Sequence, residues 1–218
     1  METLRFILNN LPMIGERTVE HISIVSVAVG IAILLGVPTG IAITRSQRVA
    51  DTVLYLGSIV MTIPSIALFG VLIPLLSKIG QGIGYLPAVL AAMLYALLPI
   101  VRNTYTAIRN LDPALRSAAI GMGMSQWQRL VRVEIPIAMP VIIAGVRIAV
   151  VINIGVTAIA AYIGAGGLGT FITRGISQTD VRQLLTGDLT LALLAIAADY
   201  ALMYLQRRLA PKGMEARA

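Results

Sequence analysis

The 218-residue chain contains no cysteine and a single histidine, His21. Disulfides and thiolate metal sites are therefore excluded, and one histidine cannot build a histidine cluster within one chain. Charge is also scarce, with Asp, Glu, Lys and Arg making up 12% of residues where an ordinary soluble domain carries about 25%. A Walker phosphate loop, G-x-x-x-x-G-K-[ST], occurs nowhere in the chain. No nucleophile–base constellation or metal cluster of a membrane enzyme is visible. The chain start also lacks the basic n-region and small-residue cleavage site of a secretory signal, so the first apolar run is expected to remain as an uncleaved anchor.

Apolar residues fill the space that charge leaves. They make up 57% of the chain, and the mean hydropathy is +0.87, which marks an integral membrane protein. Five runs reach the roughly 20 residues needed to cross a hydrocarbon layer as a helix. They lie at about 20–44, 52–77, 84–106, 137–163 and 185–206. Pro38, Pro64, Pro74, Pro87, Pro99 and Pro140 fall inside or beside them, so kinks are expected. Gly36 with Gly40, and Gly80 with Gly84, have the small-xxx-small spacing of close helix contacts.

The net charge of +7 invites a nucleic-acid reading, but the basic residues sit in loops beside apolar runs, which points to a lipid surface and no nucleic acid. With five crossings, eleven Arg and Lys residues fall on one side, among them Arg45, Arg109, Arg116 and Arg129. Five fall on the other: Arg5, Arg17, Lys78, Arg174 and Arg182. The positive-inside rule then places the C-terminus in the cytoplasm and the N-terminus outside.

The most organised polar stretch is 112–136, DPALRSAAIGMGMSQWQRLVRVEIP. Asp112 is an N-cap and Pro113 suits the first helical position, so a short helix starts there. Gly121 and Gly123 permit a turn, and Ser125 with Gln128 forms a capping box that restarts a helix to about Val133, before Pro136 disrupts it. A basic two-helix elbow on the membrane surface follows.

This stretch resembles the cytoplasmic loop of permease subunits of bacterial ABC importers, where Glu-Ala-Ala precedes Gly after three residues and Pro thirteen residues later. Ala118, Ala119, Gly123 and Pro136 fall on that spacing; Ser117 stands where the family often has Glu. Downstream, AGVRIAVVINIGVTAIAAYIGAGGLG and FITRGI resemble the osmoprotectant branch, which imports glycine betaine, carnitine and choline.

The resemblance implies an all-α integral membrane protein with a type I, methionine-importer-like ABC permease fold and a cytoplasmic coupling helix at about 113–123. It implies an external segment 1–18, a transmembrane domain 19–207 and a cytoplasmic tail 208–218, in a bacterial inner membrane. The implied partners are a second permease copy or paralogue, two ATP-binding subunits carrying ATP and Mg, and an external substrate-binding protein; no cofactor is expected on this chain. Ser117, Ala118, Ala119, Gly121, Gly123, Trp127 and Pro136 are the coupling candidates. The dispersed aromatics offer no cation–π cage for a quaternary ammonium ion, so recognition is expected in the external protein. Two alternatives stay open: a permease for an amino acid such as methionine, and an ion-coupled carrier working alone.

Other residues carry their own expectations. Gly164, Gly166 and Gly169 satisfy G-x-G-x-x-G with Asp188 downstream, yet they end a membrane run instead of following a strand. Together with Gly167 they read as an external turn where backbone passes close to neighbouring helices. Arg147 and Asp199 lie within apolar runs at similar depth and are candidates for an intramembrane pair. His21 reads as an interfacial residue at the outer end of the first run. Asn153 and Thr157, one turn apart, read as helix-packing or pathway groups.

Overall fold

A computed structural model describes residues 2–209 of the protein, and within them every regular element is helical. Helix α1 (Glu2–Asn9) leads into α2 (Leu11–Ala42), which Pro12 opens in the first turn, where its missing N–H is harmless. The first long helix thus begins some way before the apolar run expected from residue 20, and most of segment 1–18 is helical.

The second expected span is broken. Helices α3 (Gln47–Thr62) and α4 (Ser65–Ser77) meet at 97°. Pro64 forces the preceding residue out of the helical region, and Ile63 is extended at φ −71°, ψ 123°. The Tyr95 hydroxyl donates to the Ile63 carbonyl released by the break. Pro38, Pro74, Pro99 and Pro140, by contrast, are carried inside continuous helices.

Helix α5 (Tyr85–Arg109) is the centre of the bundle, with fourteen buried residues. It packs on α2 through Gly36 and Gly40: a Cβ on Gly40 would lie 2.6 Å from the Cβ of Thr104 and 2.9 Å from the Val101 carbonyl. Gly80 and Gly84 do not form a second such pair. Both have positive φ in the loop before α5, where Gly84 donates its N–H to the Ile163 carbonyl at 2.8 Å.

The elbow comprises α6 (Pro113–Gly121) and α7 (Gln126–Arg129). Pro136 does not end the second arm. A π-helical turn, Leu130–Glu134, joins α7 to α8 (Ile135–Ile159) and widens the helix where the ring of Pro136 would clash and its N–H is missing. A 3₁₀ turn (Ala160–Ile163) and the glycine turn lead to α9 (Gly169–Gln178) and then α10 (Val181–Leu209), in which only Thr186 and Gly187 are buried. Among the described residues, four helices are long and apolar enough to cross a membrane, or five if the bent α3/α4 pair counts as one span. Of the tail 208–218, residues 210–218 lie outside the described residues.

Candidate functional site

The elbow is built by its caps. Asp112 Oδ1 accepts from the Ala114 N–H at 2.8 Å with Pro113 at the first helical position. Ser125 and Gln128 close a reciprocal box: the Ser125 N–H donates to Gln128 Oε1 at 2.9 Å, and the Gln128 N–H donates to Ser125 Oγ at 3.2 Å. Between them Gly123 adopts φ +76°, a left-handed conformation that glycine takes without penalty. Gly121 differs from its expected role. It ends α6 without positive φ and has open space around it, so the turn rests on Gly123.

The expected coupling residues face two ways. Ala119 is 1% exposed and turned into the protein, whereas Ser117 and Ala118 point outward. The outer surface also carries Leu115, Ile120, Met122 and Trp127, the last 71% exposed, so α6 and the turn present an apolar ridge to whatever lies beyond. Pro136 sits in the helical stem, not on this surface.

The sequence reading passed over Glu134. It is 5% exposed, in the last position of the π turn. Its Oε1 accepts from Arg129 Nε at 3.0 Å and lies 3.1 Å from Arg116 Nε. Arg116 Nη2 in turn donates to the Ile108 carbonyl at 2.6 Å. One buried carboxylate thus clamps α6 to α7 and α8, while Arg116 holds α6 to the end of α5. Two guanidinium groups offset the cost of enclosing this carboxylate. The capping signals at Asp112 and Ser125 mark the loop, but a lone glutamate in a basic stretch has no periodic signature.

At the opposite end of the bundle, Gly164, Gly166 and Gly167 have φ of +76°, +78° and +74°. The Gly167 N–H donates to Glu20 Oε2 at 2.8 Å, and Arg17 braces that carboxylate at 2.8 Å. A Cβ on Gly169 would collide with the backbone of Ala158. The glycines serve close packing, with no strand before them and therefore no dinucleotide-binding unit. His21 is not interfacial: it is fully buried beside Gly167, its Nε2 3.1 Å from the Ile154 carbonyl, so Nε2 carries the proton and donates.

Between the two ends, Arg147 meets Asp199 through both carboxylate oxygens. Arg147 Nε and Nη2 lie 3.0 and 2.9 Å from Oδ1, Nη2 lies 2.9 Å from Oδ2, and Nη1 donates to Gln206 Oε1 at 2.8 Å. The pair lines a largely apolar groove of about 660 Å³ between α8 and α10. Asn153 and Thr157 are buried at the helix contacts; Asn153 Nδ2 donates back to the Ala149 carbonyl at 2.8 Å.

Residues 32–213 match the family described as "Binding-protein-dependent transport system inner membrane component". The chain is 54% identical over 214 residues to the osmoprotectant import permease protein OsmW of Salmonella typhimurium, covering 98% of this chain and 100% of that one. It is 43% identical over 198 residues to the carnitine transport permease protein OpuCB of Listeria monocytogenes, covering 91% and 88%. It is 37% identical over 214 residues to the glycine betaine/carnitine/choline transport system permease protein OpuCB of Bacillus subtilis, covering 98% and 96%. A solved chain of the MetNI methionine ABC transporter in an inward-facing conformation superposes with a TM-score of 0.80 at 23% identity, covering 92% of this chain and 98% of that one, which establishes a shared fold. With this match over most of its length, the chain belongs to the inner-membrane permease family of binding-protein-dependent ABC transport systems.

Proposed function

We propose that this chain forms the translocation pathway of an ATP-driven importer for a compact quaternary amine osmoprotectant: glycine betaine, carnitine or choline. The observation that carries the reading is full-length similarity, at 37–54% identity, to permeases named for those solutes. The likeness to the methionine transporter chain, at 23% identity, is one of fold.

The chain pairs with a second copy or paralogue, with two ATP-binding subunits that hold ATP and Mg, and with an external binding protein that selects the solute. The elbow and C-terminus face the cytoplasm and the N-terminus faces outward, in keeping with the excess of Arg and Lys at the elbow end. The ATPase grips the apolar ridge of Leu115, Ile120, Met122 and Trp127. Movement of the ridge passes through the Arg116–Glu134–Arg129 clamp into α8 and through the Arg116–Ile108 contact into α5, so the two spans respond as one body. The glycine turn, held by Glu20 and His21, is the outer end of the same helix α8.

The test is ATP-driven uptake by the complex reconstituted with its own binding protein, offered betaine, carnitine, choline and methionine. Selective uptake of one quaternary amine is expected. Preference for methionine overturns the substrate, and selective uptake without the binding protein overturns the division of labour.

A further inference from the structure

Beneath the elbow lies a pocket of about 450 Å³ whose charged lining is four arginines, Arg45, Arg109, Arg116 and Arg129, against one carboxylate, Glu134. Glu134 is already engaged by Arg116 and Arg129. Among the described residues, Arg45 and Arg109 meet neither a carboxylate nor a side-chain hydrogen-bond partner. The pocket therefore holds unneutralised positive charge at the end of membrane-spanning helices.

A second cavity lies farther along α2, toward its N-terminal end. This groove of about 540 Å³ is apolar, lined by Ile33, Val37, Met139, Ile142, Val146 and Leu205 among others. Residues 33, 37, 41 and 44 of α2 and its 3₁₀ extension follow one face at helical spacing; the first two line the groove and the last two the basic pocket. Val37, Ile41, Leu130 and Ile135 all pack on the buried cluster of Ala107, Ile108, Ala138 and Ile142, so the cavities share a floor. From Arg45 to Ile33 is about 18 Å of helix, close to the ~15 Å depth of one hydrocarbon leaflet.

We propose that the two cavities together form a site for one anionic glycerophospholipid, its phosphate held by Arg45 and Arg109 and an acyl chain laid in the groove between α2, α8 and α10. Guanidinium groups pair with phosphate oxygens through forked N–H donors, and a basic pocket between spans is where an anionic headgroup is held. A free phosphate uses the pocket but leaves the groove without a ligand; a lipid satisfies both. The bound lipid would brace the clamp that carries the elbow, because Arg116 and Arg129 line the same pocket.

The experiment is native mass spectrometry of the purified full-length chain with added phosphatidylglycerol or phosphatidylcholine. Wild type is expected to retain one phosphatidylglycerol in preference to phosphatidylcholine by about tenfold or more. Arg45→Gln/Arg109→Gln should abolish the preference, and Arg174→Gln/Arg182→Gln, at the other end of the bundle, should leave it intact. Met139→Trp, which fills the groove, should lower lipid retention with the arginines untouched; unchanged helicity by circular dichroism certifies both pocket variants. Equal retention of the two lipids overturns the proposal, as does unchanged preference in Arg45→Gln/Arg109→Gln. Displacement of the lipid by millimolar inorganic phosphate assigns the pocket to a free anion. Loss of the lipid on adding the ATPase assigns it to the protein partner. Either result also overturns the lipid site.

Discussion

At the residue scale, Glu134 and the Arg147–Asp199 pair concentrate the chemistry of the molecule. Replacing Glu134 with Gln leaves two guanidinium groups facing each other across a nearly closed space. The cost should be about 2–3 kcal/mol, below that of a fully enclosed pair because both arginines remain a quarter to a third exposed. The expected signature is loss of uptake with ATPase binding retained; coupled transport at wild-type level would remove the clamp from the mechanism. For the intramembrane pair, a thermal-stability cycle of Arg147→Leu, Asp199→Leu and the double variant should show a coupling of about 1 kcal/mol, the double variant losing less than the sum of the singles. Additive losses would mean the pair contributes nothing as a pair.

At the scale of elements, the two glycine-bearing turns make opposite demands. In the elbow, Gly123→Ala places a Cβ at φ +76° and should cost about 1–2 kcal/mol of local stability, whereas Gly121→Ala, in open space at a helix end, should be neutral or slightly stabilising. ATPase pull-down with the two variants separates the positions; equal loss in both would mean that the ridge needs glycine at 121 for docking and not for folding. After the turn at the other end of the bundle, Gly169→Ala drives a methyl group into the backbone of Ala158 and should destabilise by about 3 kcal/mol or more, read as loss of folded protein in detergent. A well-folded variant would show that α9 can move away from α8 at little cost.

At the scale of the whole molecule, the single tryptophan is a built-in reporter. Trp127 stands on the exposed elbow, so its emission should shift to the blue and resist quenching when the ATPase subunits bind. A difference spectrum against Trp127→Phe isolates it from tryptophans in the partners. An unchanged spectrum in a complex that hydrolyses ATP would place the docking surface elsewhere. The lengths of the spans also assign the parts: α5 is the buried centre, while α3, α4 and α10 leave most of their apolar surface for lipid or a second permease.

The sequence by itself determined the features that arise within a few residues of chain. The apolar runs fix the membrane class, and the caps at Asp112 and Ser125 with the turn between them fix the elbow, because each cap is read by a neighbour two or three residues away. The motif spacing and the glycine-rich stretch determined the family as well. Tertiary structure alone decided the rest, since it depends on partners distant in the chain. Pro64 breaks its span and Pro140 does not; the broken end leaves an Ile63 carbonyl to which the Tyr95 hydroxyl is placed to donate. His21 is buried because Ile154 and Gly167, more than a hundred residues away, close over it. Glu134 became a clamp only when α6 folded back to bring Arg116 beside the π turn, a contact that neither periodicity nor capping signals encode.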